Sequence, residues 1–162
     1  DAKVHVMTHA LHYGSAVFEG ERAYQSKIFR VRDHSQRLYD SARMIGMTIP
    51  YSLDELDQAK YKILEAAGLK DAYIRTLAWR GSEQMGIGAR ATKTHVMIAT
   101  WDWPSYFSPE LLEKGISLTI SQWRKPSPET APVQSKAAGL YIINTLSKHT
   151  AEEAGFDDAL MC

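Results

Sequence analysis

The sequence predicts an α+β fold: a small N-terminal domain with an antiparallel sheet and two helices, followed by the start of a second, larger domain. Three observations lead there. Residues 15–32 hold two alternating runs around a short polar turn, two helical periodicities follow back to back, and three more strand-like runs come next with no regular alternation of strand and helix.

In "SAVFEGERAYQSKIFRVR" the two runs flank Gln25-Ser26, the pattern of a hairpin. A period of two puts Phe18, Gly20, Arg22 and Tyr24 on one face, and Val17, Glu19 and Ala23 on the other. "DHSQRLYDSARMIGM" then offers Asp33 as N-cap, with Leu38, Ala42 and Ile45 at helical spacing. The second helix is better marked: Ser52 and Glu55 make an S-x-x-E capping box, Leu56, Ala59 and Ile63 line one face, and Gly68 ends it.

Three strands are expected after Gly68. "DAYIRTLAWRG" alternates, with Tyr73, Arg75, Leu77 and Trp79 together. "THVMIATW" is nearly continuous in apolar residues, as a central strand would be, and "GISLTISQW" places Ile116, Leu118 and Ile120 inward. "RKPSPETAP", with three prolines, reads as a linker over 124–132, dividing a domain of 1–123 from the beginning of another at 133–162. A helix is expected from Lys136 to Ala154, stopped by Gly155. The opening "DAKVHVM" and the closing strand-like "FDDALMC" both read as cut, so a fragment is expected.

Composition bounds the function. Nineteen Lys and Arg balance nineteen Asp and Glu, which gives no electrostatic reason to expect a nucleic acid or an anionic membrane as partner. The single cysteine, Cys162, permits no intrachain disulfide and suits a reducing, cytoplasmic setting. No apolar run reaches the roughly 18 to 20 residues of a membrane span. Neither a G-x-S-x-G elbow nor a glycine-rich phosphate loop is present; "GIG" at 86–88 is too short to be one.

Several side chains invite a chemical reading. His5, His9 and His12 stand at i, i+4 and i+7, yet no Cys, Asp or Glu stands nearby to complete a metal site, so none is expected. Arg30, Arg32 and Arg37 gather at a helix start, where an anion is favoured; solvated surface arginines are the plainer reading. Arg75 sits inside an apolar strand beside Tyr73, and either pairs with a carboxylate of the protein or meets one on a ligand. Lys136, before Ala137, Ala138 and Gly139, is either a lysine snorkelling from a helix start or an amine placed to bond with a carbonyl. In the second case the small neighbours would let a flat ring lie close, with Tyr141 within reach of it.

Several phrases together carry a resemblance: "HALHYGSAVFEG", "FRVRDHSQRLYDSA", "AYIRTLAWRG", "ATWDWPSY" and "SKAAGLYIINTLSKHTAEEAGFDDALM". In order and spacing the sequence resembles the fold-type IV pyridoxal-phosphate enzymes, and within them the branched-chain amino acid aminotransferases. D-amino-acid aminotransferases and aminodeoxychorismate lyases share the lysine and the phosphate arginine. A non-catalytic fragment or binding module is the rival from another class.

The resemblance implies pyridoxal 5'-phosphate as cofactor, amino acids and 2-oxo acids as substrates, and a homodimer or higher homo-oligomer. It implies that Lys136 bonds the cofactor, Arg37 holds its phosphate and Tyr141 sits by its phenolic oxygen. Phe18, Tyr73, Trp103 and Tyr106 would line the substrate side-chain pocket, and Arg75 would meet the distal carboxylate of glutamate. Tyr13 and Ile87 would reach the neighbouring subunit's site. A carboxylate for the pyridine nitrogen is expected beyond Cys162, so these residues alone are expected to show little or no transaminase activity.

Overall fold

The structure is a computed structural model that describes residues 2–105 and 107–162. Its elements run α1 (His9–Tyr13), β1 (Ala16–Tyr24), β2 (Lys27–Ile28), α2 (Val31–Met44), α3 (Leu53–Ala66), β3 (Ala72–Arg80), β4 (Thr94–Trp101), α4 (Pro109–Lys114), β5 (Leu118–Ile120), α5 (Ile142–Glu153) and β6 (Asp158–Leu160). The expected α+β architecture is present. Two compact units are formed, one from residues 1–103 with 134–139, the other from 104–133 with 140–162. This division differs from the one read at the proline-rich stretch: residues 104–123 go with the second unit and 134–139 with the first.

In the first unit β2, β1, β3 and β4 form an antiparallel sheet in that order. Gln25 and Ser26 make the hairpin turn with left-handed φ values of 49° and 64°, which matches the right-handed twist of paired strands. Along β1 the side chains alternate as expected. Val17, Glu19, Glu21 and Ala23 are buried, while Phe18, Gly20 and Arg22 are half-buried. Ala23, Ile28, Leu64, Ala72 and Ile74 form a core cluster, and burying a Leu or Ile side chain contributes about 1.5–3 kcal/mol.

The capping box of α3 is as read: the Ser52 hydroxyl accepts from the Glu55 N–H, and the Glu55 carboxylate accepts from the Ser52 N–H at 2.7 Å. Four other expectations are corrected. α2 begins at Val31 with Arg30 as N-cap, so Asp33 is inside its first turn, where it takes an ion pair from Arg30. The deepest stripe of α3 is Leu56, Lys60 and Leu64, with Ala59 and Ile63 only half-buried, because Lys60 finds a buried carboxylate. β4 is an edge strand, half-buried along most of its length, for among the described residues only β3 pairs with it.

The fourth correction concerns Lys136. The chain is extended there, and only from Ala138 does it turn, first as a 3₁₀ turn to Tyr141 and then as α5. Residues 136 and 137 lie along β1 instead: the Phe18 N–H donates to the Lys136 carbonyl at 3.2 Å, and Val17 bridges Ala137. β2 is only two residues long and leaves that edge of β1 open.

In the second unit β5 and β6 pair in parallel. Leu118 and Ile120 point outward, 49% and 67% exposed, against the inward placement expected for them, while Thr119 takes the inner side. The Asp157 carboxylate accepts from the Ser117 N–H and hydroxyl, both at 2.7 Å, which fixes the strand entry. Among the described residues no helix is long and apolar enough to cross a membrane.

Candidate active site

The sheet of the first unit divides its chemistry by face. On the helix-covered face the buried Glu19 carboxylate accepts from Arg37 Nε at 2.5 Å, Arg37 Nη2 at 2.7 Å and His34 at 2.8 Å. His34 and Arg37 stand about one turn apart on α2, which is why both reach one strand residue. Burial raises the Glu19 pKa, but the hydrogen bonds from Arg37 and His34 outweigh it and leave the group below its ordinary range.

Two residues along, Glu21 pairs with Lys60 at 2.8 Å, both fully buried. Lys60 also donates to the Ser35 hydroxyl at 2.7 Å, which donates to Asp57, and Asp57 pairs with Arg32 at 3.0 Å. Burial pushes the Glu21 carboxyl up, with Lys60 opposing. Arg32 is thus tied to acidic partners, Asp54 and Asp57, and Arg30 to Asp33. Of the three clustered arginines, only Arg37 is held by a fully buried carboxylate.

The opposite face is aromatic. Arg75 lies over the Phe18 ring at 4.8 Å and over the Tyr73 ring at 5.3 Å, and its Nη2 donates to the Tyr73 hydroxyl at 3.1 Å. Among the described residues its buried Nε has no hydrogen-bond partner, and an unmet buried donor costs free energy. Tyr73 packs on Trp103 at 4.6 Å and Trp101 at 5.1 Å, and Arg22 donates to the Trp103 carbonyl. Gly20 makes this possible: a Cβ there would come within 2.0 Å of the Tyr73 hydroxyl.

Lys136 joins this cluster from the sheet edge. Its Nζ lies 4.7 Å from the centre of the Phe18 ring, so Lys136 and Arg75 both rest on Phe18. The backbone behind it is close-packed. Gly14, at φ 64°, ends α1 so near Gly139 that a Cβ on Gly14 would meet the Gly139 Cα at 2.9 Å.

The structure therefore brings together Phe18, Tyr73, Arg75, Trp103 and Lys136, and sets Arg37 on the neighbouring helix. Tyr13 and Ile87 line a different cleft with His9, Ser15 and Arg80; Ile87 is 88% exposed. His9 braces that cleft, bonding the Ser15 hydroxyl and the Gly86 carbonyl, while His5 and His12 contact backbone near Met7 and Val6. Tyr141 belongs to the second unit, directly before α5. Tyr106 lies outside the described residues. Sequence reasoning passed over Glu19, Ser41, Lys60 and Trp101. A carboxylate on the buried face of β1, and a lysine in line with Leu56 and Leu64, were the available signals.

Comparison with known proteins decides the family. A sequence model of amino-transferase class IV matches residues 16–162. The chain belongs to the class IV amino-transferase family. A probable branched-chain-amino-acid aminotransferase of Rickettsia typhi is 44% identical over 160 residues, covering 99% of this chain and 54% of its own length. The crystal structure of the branched-chain amino acid aminotransferase of Escherichia coli superposes with a TM-score of 0.95 at 40% identity, over 99% of this chain and 55% of that one. The branched-chain amino acid aminotransferase of Thermobaculum terrenum, solved in its PLP-form, gives 0.85 at 28% identity, over 99% and 53%. The chain spans about half the length of these class IV relatives.

Proposed function

We propose that these residues carry the lysine side of a pyridoxal-phosphate site. In this reading the whole protein transfers amino groups between branched-chain L-amino acids and 2-oxoglutarate, giving branched-chain 2-oxo acids and glutamate. The observation that supports it is Lys136, its amine on the Phe18 ring and its backbone bonded to the helix that bears Arg37. An amine shielded by an aromatic ring beside small residues, with a guanidinium on an adjacent helix, fits an aldehyde that carries a phosphate.

When bound, the cofactor supplies an aldehyde for reversible attachment of amines and a ring that accepts electrons from the substrate α-carbon. Lys136 would hold it through its amine, and that amine, when released, would serve as the base that moves a proton at the substrate α-carbon. Arg37, held in place by Glu19, would hold the phosphate, and Tyr141 is the residue proposed for the phenolic oxygen. Phe18, Tyr73 and Trp103 would give an aliphatic chain its apolar walls. Arg75, on the same face as Phe18 and Tyr73, would meet a second carboxylate, so one pocket could serve both substrates.

Assembly as a homodimer and a cytoplasmic setting belong to the same proposal, with Tyr13 and exposed Ile87 serving a neighbouring subunit. The test is incubation with pyridoxal phosphate followed by borohydride. A reduced adduct on Lys136, absent from Lys136→Ala, is expected; labelling spread over surface lysines instead would remove the reading.

A further inference from the structure

One buried hydroxyl lies outside the cluster of Phe18, Tyr73, Arg75, Trp103 and Lys136. Ser41, on α2, is 1% exposed, and both its polar ends face the lysine segment. Its hydroxyl accepts from the Lys136 N–H at 3.0 Å, and its carbonyl accepts from the Ser135 hydroxyl at 2.9 Å. Ser135 is itself buried. Four residues earlier on the same helix stands Arg37, so Arg37 and Ser41 are neighbours one turn apart.

We propose that Ser41 is a positioning residue that sets the Lys136 amine in register with the Arg37 phosphate anchor. The inference rests on the cofactor reading above. A lysine side chain is long and would otherwise search many rotamers. Fixing its backbone from one side, and laying its amine on Phe18 from the other, removes most of that freedom. The Lys136 segment has no α-helix of its own at that point and borrows the rigidity of α2. One helix then carries both the group that holds the phosphate and the group that holds the lysine. A cofactor bonded at its aldehyde and gripped at its phosphate needs that separation fixed at both ends.

The test compares pyridoxal phosphate with pyridoxal, which lacks the phosphate. Adduct formation is read by the absorbance of the lysine-bound aldehyde and by borohydride-trapped mass at Lys136. Native protein is expected to favour the phosphorylated aldehyde. Ser41→Ala, a change that favours helix, is expected to lower adduct formation with pyridoxal phosphate about tenfold but with pyridoxal by no more than about twofold.

Ser135→Ala, which removes one of the two ties, is expected to fall between. In an Arg37→Gln background Ser41→Ala should cost no further phosphate preference. The proposal is overturned if Ser41→Ala keeps the native preference, or if it weakens both aldehydes equally, as general loosening of the fold would. Absence of an adduct on Lys136 in the native protein would sink the cofactor reading itself and this inference with it, and is recognisable because it needs no variant.

Discussion

Glu19 and Arg37 meet through two hydrogen bonds, Nε to Oε1 at 2.5 Å and Nη2 to Oε2 at 2.7 Å, although Glu19 is fully buried and the Arg37 side chain is 54% exposed. The buried acid fixes the plane of an accessible guanidinium, which is what a phosphate-gripping arginine needs. Glu19→Gln keeps the shape and loses the charge, and is expected to weaken cofactor binding about tenfold. Equilibrium titration with pyridoxal phosphate measures it, and native-like affinity would show that Arg37 needs no such brace.

The same carboxylate makes the fold sensitive to acid. Its folded pKa lies below the ordinary value of 4.5, so its contribution is complete above that value and is lost as pH falls through the lower folded one. Native protein is therefore expected to lose unfolding free energy more steeply than Glu19→Gln between about pH 5 and about pH 3. Urea melts across that range give the two slopes. Glu21 has the opposite sign: burial raises its pKa, so its contribution is present below the ordinary value and is lost as pH rises through the raised one.

Lys60 and Glu21 form a fully buried pair. Lys60→Met leaves an uncompensated buried carboxylate and is expected to cost about 3–5 kcal/mol. Replacing both, Glu21→Leu with Lys60→Met, is expected to return stability to within about 1 kcal/mol of native or above it. Chemical denaturation of the three proteins settles whether charge or packing holds α3 to the sheet.

Gly20→Ala tests the aromatic face. The added Cβ collides with the Tyr73 hydroxyl, which must swing away and release Arg75. In the protein at its relatives' length, kcat/KM is expected to fall on the order of 10- to 100-fold, with pyridoxal phosphate affinity unchanged. A parallel fall in cofactor affinity would argue for general disruption of β1.

Alternation made β1 and β3 legible, and the S-x-x-E box made the start of α3 legible, because local sterics and hydrogen bonds decide them within a few residues. The turn at Gln25-Ser26 and the family phrases around Lys136 and Arg37 could be read as well. Less local features could not. "THVMIATW" has the composition of a central strand, but whether a strand is central depends on what pairs with its second edge, and among the described residues only β3 pairs with β4.

By itself, then, the sequence determined most of the secondary elements and the α+β class, and it singled out Lys136 and Arg37 as candidates. The tertiary structure alone decided that Lys136 lies in an extended segment on the open edge of β1, bound through Ser41 to α2. It alone decided that Glu19 orients Arg37, that Phe18 carries both Lys136 and Arg75, and that Lys60 is a core residue. The reason is physical: these contacts join positions roughly 20 to 120 residues apart, and nothing in local spacing encodes which distant partner answers a buried charge.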